Sequence, residues 1–202
     1  MFNGQPGDVF LIRTRGIFGL IIRFGEWLQR KPDMHSHVAV LHHIDGNVAW
    51  FLEGRPGGLG WRPEKITGKH RGSYISSRWT RDNALQPKLA LQRQVVCAAM
   101  LGLLGAPYDW GAIAADAADA LHLPEVWAKW GGKMPGHVVC SSSAAWAYRQ
   151  AKLPAPEIGG GRFTEPADWD AFMLRRGWEA PDQTAAAAAA AGGDPTSHGG
   201  AA

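Results

Sequence analysis

The chain of 202 residues has only two cysteines, Cys97 and Cys140. Two thiols build no disulfide framework, so the fold must rest on a packed core and is compatible with a reducing compartment. It also lacks the ~18-residue apolar run that a membrane span requires; Arg23 interrupts the apolar stretch Gly16 to Leu28. No charged region followed by an apolar run opens the N-terminus. That predicts no secretory signal and points to the cytoplasm, or to release by another route such as a phage particle or lysis. There is no internal repeat.

What is present suits one soluble globular domain. Hydrophobic residues make up 46% and charged residues 19%, and the length suffices for a single core. The expected division is a domain over residues 1–180 and a disordered Ala/Gly-rich tail over 181–202, which contains seven successive alanines. Ten tryptophans serve as core and amphipathic surface rather than as an aromatic-lined groove. The net charge is +3 but unevenly spread: between Arg55 and Arg93 nine Lys/Arg face only Glu64 and Asp82. Such a stretch suits an anionic polymer (nucleic acid, a lipid surface or cell-wall polymer), with a solvated face as the default. Trp61, Tyr74 and Trp79 lie among these bases, as in single-strand grooves, although nucleic acid is not the partner expected.

Short strands dominate the front half. Asp8–Arg13 reads as a buried strand and Ile17–Gln29 as a helix stopped by Lys31-Pro32. Ser36–Ile44 and Val48–Glu53 form a hairpin around Asp45-Gly46-Asn47. Gly60–Ile66 and Ser73–Trp79 are further short strands. Helices fill the back half: Leu85–Leu104 closed by Gly105, Ala112–Leu121, Cys140–Leu153, and a short one over Thr164–Arg176, with a loop over Gly131–Gly136. This segregation argues an α+β fold with an antiparallel sheet.

Cys140 opens a helix and is followed by Ser141, Ser142 and Ser143. A helix N-terminus offers free amide donors and the positive end of the dipole, which stabilise a thiolate and an oxyanion. Local context allows equally a buried cysteine acting as a small hydrophobe. Cys97, inside Val-Val-Cys-Ala-Ala-Met, reads as core. Of eight histidines, His37 is the candidate base, since Ser-His-Val-Ala-Val sets it on a rigid strand; the alternative is a polar strand residue. The spacings His35-Ser-His37 and His137-x-x-Cys140 suggest metal, but no second Cys or carboxylate completes a ligand set, and no cofactor is expected. Glu53 is the candidate to orient His37. A three-residue loop pairs Ile44 with Val48, Ala39 with Glu53 and His37 with Arg55, leaving Glu53 diagonal to His37 at roughly 7–8 Å on one face. A two-residue loop would put them on opposite faces. The alternative for Glu53 is an ordinary strand-end carboxylate paired with Arg55.

At these residues the sequence resembles the NlpC-type cell-wall peptidase superfamily of papain-like folds. His37-Val-Ala-Val followed by a hairpin is similar to its His strand. Pro107-Tyr108-Asp109-Trp110-Gly111 and Val139-Cys140-Ser141 are similar to its Pro-Tyr-x-Trp-Gly and Asp-Cys-Ser stretches. His37 precedes Cys140, the reverse of the usual order. That resembles the circularly permuted branch, which includes the lecithin:retinol acyltransferase-like lipid enzymes. Gly7-Asp8 at the first strand and Glu53 on the strand after the histidine also match that branch. The likeness spans roughly residues 7 to 175. Val139 stands where Asp is common, and about 30 residues separate Tyr108 from Cys140.

The resemblance implies a permuted papain-like domain, its antiparallel sheet or partial barrel packed on helices. It also implies a thiol hydrolase with Cys140, His37 and Glu53 as the triad. Tyr108 and Ser141 would stand at the substrate or oxyanion position, or Tyr108 would simply pack at a helix junction. A cell-wall peptide amide is the substrate this implies. A lipid acyl bond, with Ile17–Leu28 lining an apolar pocket, and a non-catalytic binding module on the same fold are the alternatives.

Overall fold

The computed structural model describes residues 4–12, 20, 22, 35–65, 87–113, 137–157 and 164–175. Four strands form an antiparallel meander in the order β1-β2-β3-β4: Val9–Ile12, His37–Asp45, Val48–Arg55 and Gly58–Lys65. Among the described residues the helices that follow are α1 (Pro87–Gly102), α2 (Cys140–Gln150) and α3 (Pro166–Arg175). The architecture is α+β with an antiparallel sheet, as the segregation of strand and helix patterns implies. Among the described residues no helix is long and apolar enough to cross a membrane. The expected strand Ser73–Trp79, the loop Gly131–Gly136, the tail from 181, and most of the helices expected over Ile17–Gln29 and Ala112–Leu121 lie outside the described residues.

The central hairpin departs from expectation in an instructive way. Asp45 pairs with Val48, so the loop has two residues, not three, with Gly46 at φ +55, where glycine is at ease. By itself such a loop would turn His37 and Glu53 to opposite faces. A bulge between Leu41 and His43 restores the register, and Val40 pairs with Leu52. One extra residue on β2 flips the alternation once more. The diagonal placement of Glu53 therefore survives through a compensation that strand periodicity does not reveal. The next strand begins at Gly58, immediately after the Pro56-Gly57 turn, rather than at Gly60. Pro63 sits on β4, the outer strand of the described sheet, where a missing N–H leaves no ladder bond broken.

Alternation divides the sheet's apolar residues between two faces. Val9, Leu11, Val38, Val40, Leu52 and Leu59 pack with Val96 and Met100 of α1, Ala144, Ala147 and Tyr148 of α2, and Trp169 and Met173 of α3. Phe10, Ile12, Ala39, Leu41, Ala49 and Phe51 form a second cluster, with Phe10 and Phe51 edge to face at 5.1 Å. His37 and Glu53 fall on this second face by the same alternation.

Polar anchors tie the chain start to the helices. Asp8 is fully buried and meets Arg93 Nη1 at 2.8 Å. Arg93 also donates to the Pro6 carbonyl at 2.8 Å, and the Tyr148 hydroxyl donates to the Gly7 carbonyl at 2.8 Å. Gly7 adopts φ +85 with Arg93 Cα 3.2 Å from where a Cβ would stand, so the Gly-Asp pair is a close-approach requirement. At α3, Pro166 occupies the first helical position and the Asp168 carboxylate accepts the Glu165 N–H at 2.9 Å, the side-chain-to-N-cap arm of a capping box. Arg93→Met removes the arginine that pairs with the buried Asp8 carboxylate. It is expected to cost about 3–5 kcal/mol, read as a lowered midpoint in urea unfolding.

Candidate active site

Each of the three expected site residues comes from a different element. His37 is the first residue of β2 and is 8% exposed, Glu53 lies near the end of β3 at 1%, and Cys140 opens α2 at 2%. The structure brings them together. His37 Nε2 lies 2.9 Å from Glu53 Oε2, and the Cys140 thiol is hydrogen-bonded to His37. With Nε2 directed at a carboxylate, Nδ1 is the nitrogen left for the thiol.

The approach of Cys140 follows from two local features. Pairing between β2 and β3 ends at Val40–Leu52, and beyond it the Val38 amide turns to Cys140 Sγ instead of continuing the ladder. Gly54 then provides space: a Cβ there would stand 3.1 Å from Cys140 N and 3.2 Å from its Cα. The first turn of α2 thus lies directly on β3. The helix start is anchored from behind. Trp169 Nε1 donates to the Ser141 carbonyl at 3.0 Å, and the Ser143 hydroxyl donates to the Val139 carbonyl at 2.5 Å.

Ser141 meets the site through its backbone. Its hydroxyl is fully buried and donates to the Thr164 carbonyl, while its amide is directed at Cys140 Sγ. Whatever Ser141 contributes at the sulfur comes from its backbone. Tyr108 does reach the site. Its segment pairs with Val138 in an isolated parallel bridge, with Asp109 N to Val138 O at 3.0 Å and Val138 N to Pro107 O at 2.9 Å. This bridge closes the long sequence gap to Cys140, and the Tyr108 hydroxyl meets the thiol. Trp110, 44% exposed, packs edge-on against Tyr108 at 5.3 Å.

Within the pair the electrostatics favour the charged form of each partner. Burial disfavours the Cys140 thiolate, but the charge and hydrogen bond of His37 and the amides of Val38 and Ser141 outweigh it, holding the thiol below its ordinary value. Burial likewise disfavours a charged His37, yet Cys140 and Glu53 together raise it to about 10. Glu53 is subject to the same desolvation, which His37, Arg62 and Arg55 overcome, drawing the carboxyl down to about 2. Burial and the adjacent Cys140 push Tyr108 well above the usual phenol range, so it remains an O–H donor. Cys97 is the opposite case: burial raises it to about 11, and its thiol points at the Leu41 carbonyl at 3.8 Å. It belongs to the core, as its apolar helix implied.

The histidine pairings considered for metal do not converge. His35 faces Asp170 of α3 at 3.8 Å, whereas His37 faces Glu53, and among the described residues no group of three His, Cys, Asp or Glu could hold an ion. Sequence reasoning missed the Val38 amide, Gly54 and Arg62; Arg55 was weighed as a partner of Glu53, and it does pair with that carboxylate. Strand alternation carries part of that signal, since Arg55 follows Glu53 by two residues on one face; the close approach at Gly54 has no trace in the local sequence. Compared with known proteins, the chain matches no family model and no curated protein.

Gly54→Ala places a methyl against the Cys140 backbone, which has no flexible side chain to yield. It is expected to cost about 1–3 kcal/mol and to slow Cys140 alkylation while the far-ultraviolet spectrum is retained. The Glu53 carboxyl moves from an ordinary 4.5 to about 2. Its stabilising contribution is therefore complete above pH 4.5 and lost as pH falls towards 2. Acid titrations of wild type and Glu53→Gln are expected to differ above pH 4.5 and to converge below it.

Proposed function

We propose that this protein is a cysteine hydrolase that cleaves an amide bond, with Cys140 as nucleophile, His37 as acid–base and Glu53 as the group orienting His37. The single observation that carries this reading is the unbroken contact chain from Glu53 through His37 to a buried Cys140 at a helix N-terminus. A cysteine that merely fills space needs neither the buried carboxylate nor the two amides directed at its sulfur. Such groups cost desolvation unless they stabilise charge. The non-catalytic module therefore ranks second.

The thiolate attacks the substrate carbonyl carbon, forming the C–S bond as the carbonyl electron pair moves to oxygen. The Cys140 amide, in the first turn of α2 where helical N–H groups have no intrahelical acceptor, and the Tyr108 hydroxyl are the donors proposed for that oxyanion. Collapse expels the amine, which takes the His37 proton. Water then attacks the thioester and yields its proton to His37. The carboxylic acid leaves and the thiolate–imidazolium pair returns.

The order His37, Glu53, Cys140 on an antiparallel meander packed against α2 is the arrangement expected of a permuted papain-like domain. Together with the Tyr108 and Cys140 motifs it supports a place in the NlpC-type superfamily. Peptide amides of the cell wall are the substrate class this suggests.

Iodoacetamide labelling across pH tests the reading, with Cys97→Ser as background. Cys140 is expected to react at pH 6 about tenfold or more faster than an unperturbed thiol, and His37→Ala is expected to abolish that advantage. A Cys140 that titrates as a free thiol whatever occupies position 37 would sink the hydrolase.

A further inference from the structure

The carboxylate of Glu53 has more counter-charge around it than a partner for one histidine requires. Oε2 accepts from His37 Nε2 at 2.9 Å and lies 3.4 Å from Arg62 Nη1. Oε1 accepts from Arg55 Nε. Arg62 is itself held by Glu64, with Nη2 at 2.5 Å and Nε at 2.6 Å from Oε1. Strand geometry builds this bracket. Arg55 follows Glu53 by two residues on β3, and Arg62 pairs with Phe51 on β4, which sets it diagonal to Glu53 on the same face. The Glu53 side chain is 1% exposed, whereas those of Arg55 and Arg62 are 46% and 26% exposed. The carboxylate is dry, and its arginines reach inward from the rim.

The proposed reaction cycle gives this arrangement a purpose. At rest His37 carries a proton and balances Glu53. Once that proton has gone to the leaving amine, His37 is neutral. A dry carboxylate with no other cation would then be an unpaired buried charge, and it would hold the proton on His37 rather than let it go. Arg55 and Arg62 are permanent cations that remain when His37 discharges.

We propose that Arg55 and Arg62 are positioning residues that keep Glu53 ionised through the cycle, so that His37 can release its proton as well as take one up. The inference rests on the hydrolase reading, deepens it, and extends the site from three residues to five. Among the described residues, the titratable groups that act on His37 are Glu53 on β3 and Cys140 on α2, with Tyr108 against Cys140. Arg55 and Arg62 act through Glu53, with Glu64 behind them. Ile12 of β1 lies opposite His37, and His35 turns to Asp170.

The sign of one titration decides the matter. In a Cys140→Ser background, which removes the thiolate, the imidazole of His37 is followed by NMR across pH. Removing a cation that competes for Glu53 strengthens its hold on the imidazolium. Arg62→Met and Arg55→Met are therefore each expected to raise the His37 midpoint by about one pH unit. Arg62→Lys is expected to restore it, and Glu53→Gln to lower it. A purely structural role predicts the reverse, since loosening Glu53 from His37 lowers the midpoint. A fall, or no change, in both methionine variants overturns the proposal. Because Arg55 and Arg62 are read separately, misfolding of one variant leaves the other to decide. Iodoacetamide labelling of Cys140 is a separate measurement: its failure removes the hydrolase reading, whereas a wrong-signed His37 shift with normal labelling removes only the bracket.

Discussion

The hydrogen bond between His37 and Glu53 is the interaction on which the site depends. It joins two buried ionisable groups on neighbouring strands, and neither is tolerable there alone. Its existence requires that both side chains leave the sheet on one face. In this hairpin that requires the bulge between Leu41 and His43 to cancel the parity of a two-residue loop. A turn and a bulge some distance from the site thus determine whether an imidazole and a carboxylate meet. Bulges beside functional sites commonly re-aim a side chain in this way, and here the effect is a whole-strand change of face.

A second constraint acts at right angles to the first. The first turn of α2 approaches β3 where Gly54 has no side chain, and β2 and β3 cease to pair at the same level. The Val38 amide, freed from the ladder, is available to the sulfur. Helix terminus and strand end each have unsatisfied N–H groups, and the Cys140 sulfur receives donors from both. Trp169 and Ser143 hold the helix start by its carbonyls, so the amides that matter keep their direction. Charge placement and packing are one arrangement here: moving α2 by an ångström would cost both.

Much of this was legible along the chain. The hairpin at Gly46, the apolar α1, the helix opening at Cys140, and the contrast between Cys140 and Cys97 all follow from periodicity, turn chemistry and local context. Tyr108 was recognisable as a motif residue, but only the Tyr108–Val138 bridge carries it across the long gap to the thiol. Ser141, expected at the substrate or oxyanion position, has its hydroxyl on the Thr164 carbonyl and only its amide at the Cys140 sulfur, a division that residue type does not reveal. Arg55 was legible as a partner of Glu53, two residues along the same strand, whereas Arg62 was read only as part of a basic stretch because its place beside Glu53 appears once β3 and β4 are paired.

The sequence by itself determined the α+β segregation of strands and helices and the identity of the nucleophile–base–carboxylate candidates. Those properties reside in residue type and short-range spacing, which act wherever the chain goes. Tertiary structure alone decided the face on which His37 and Glu53 meet, the clearance at Gly54, and the approach of Tyr108, Arg55 and Arg62. Each of these depends on strand register or on backbone approach between segments distant in sequence, where a shift of one residue or one methyl reverses the outcome and leaves the local pattern unchanged.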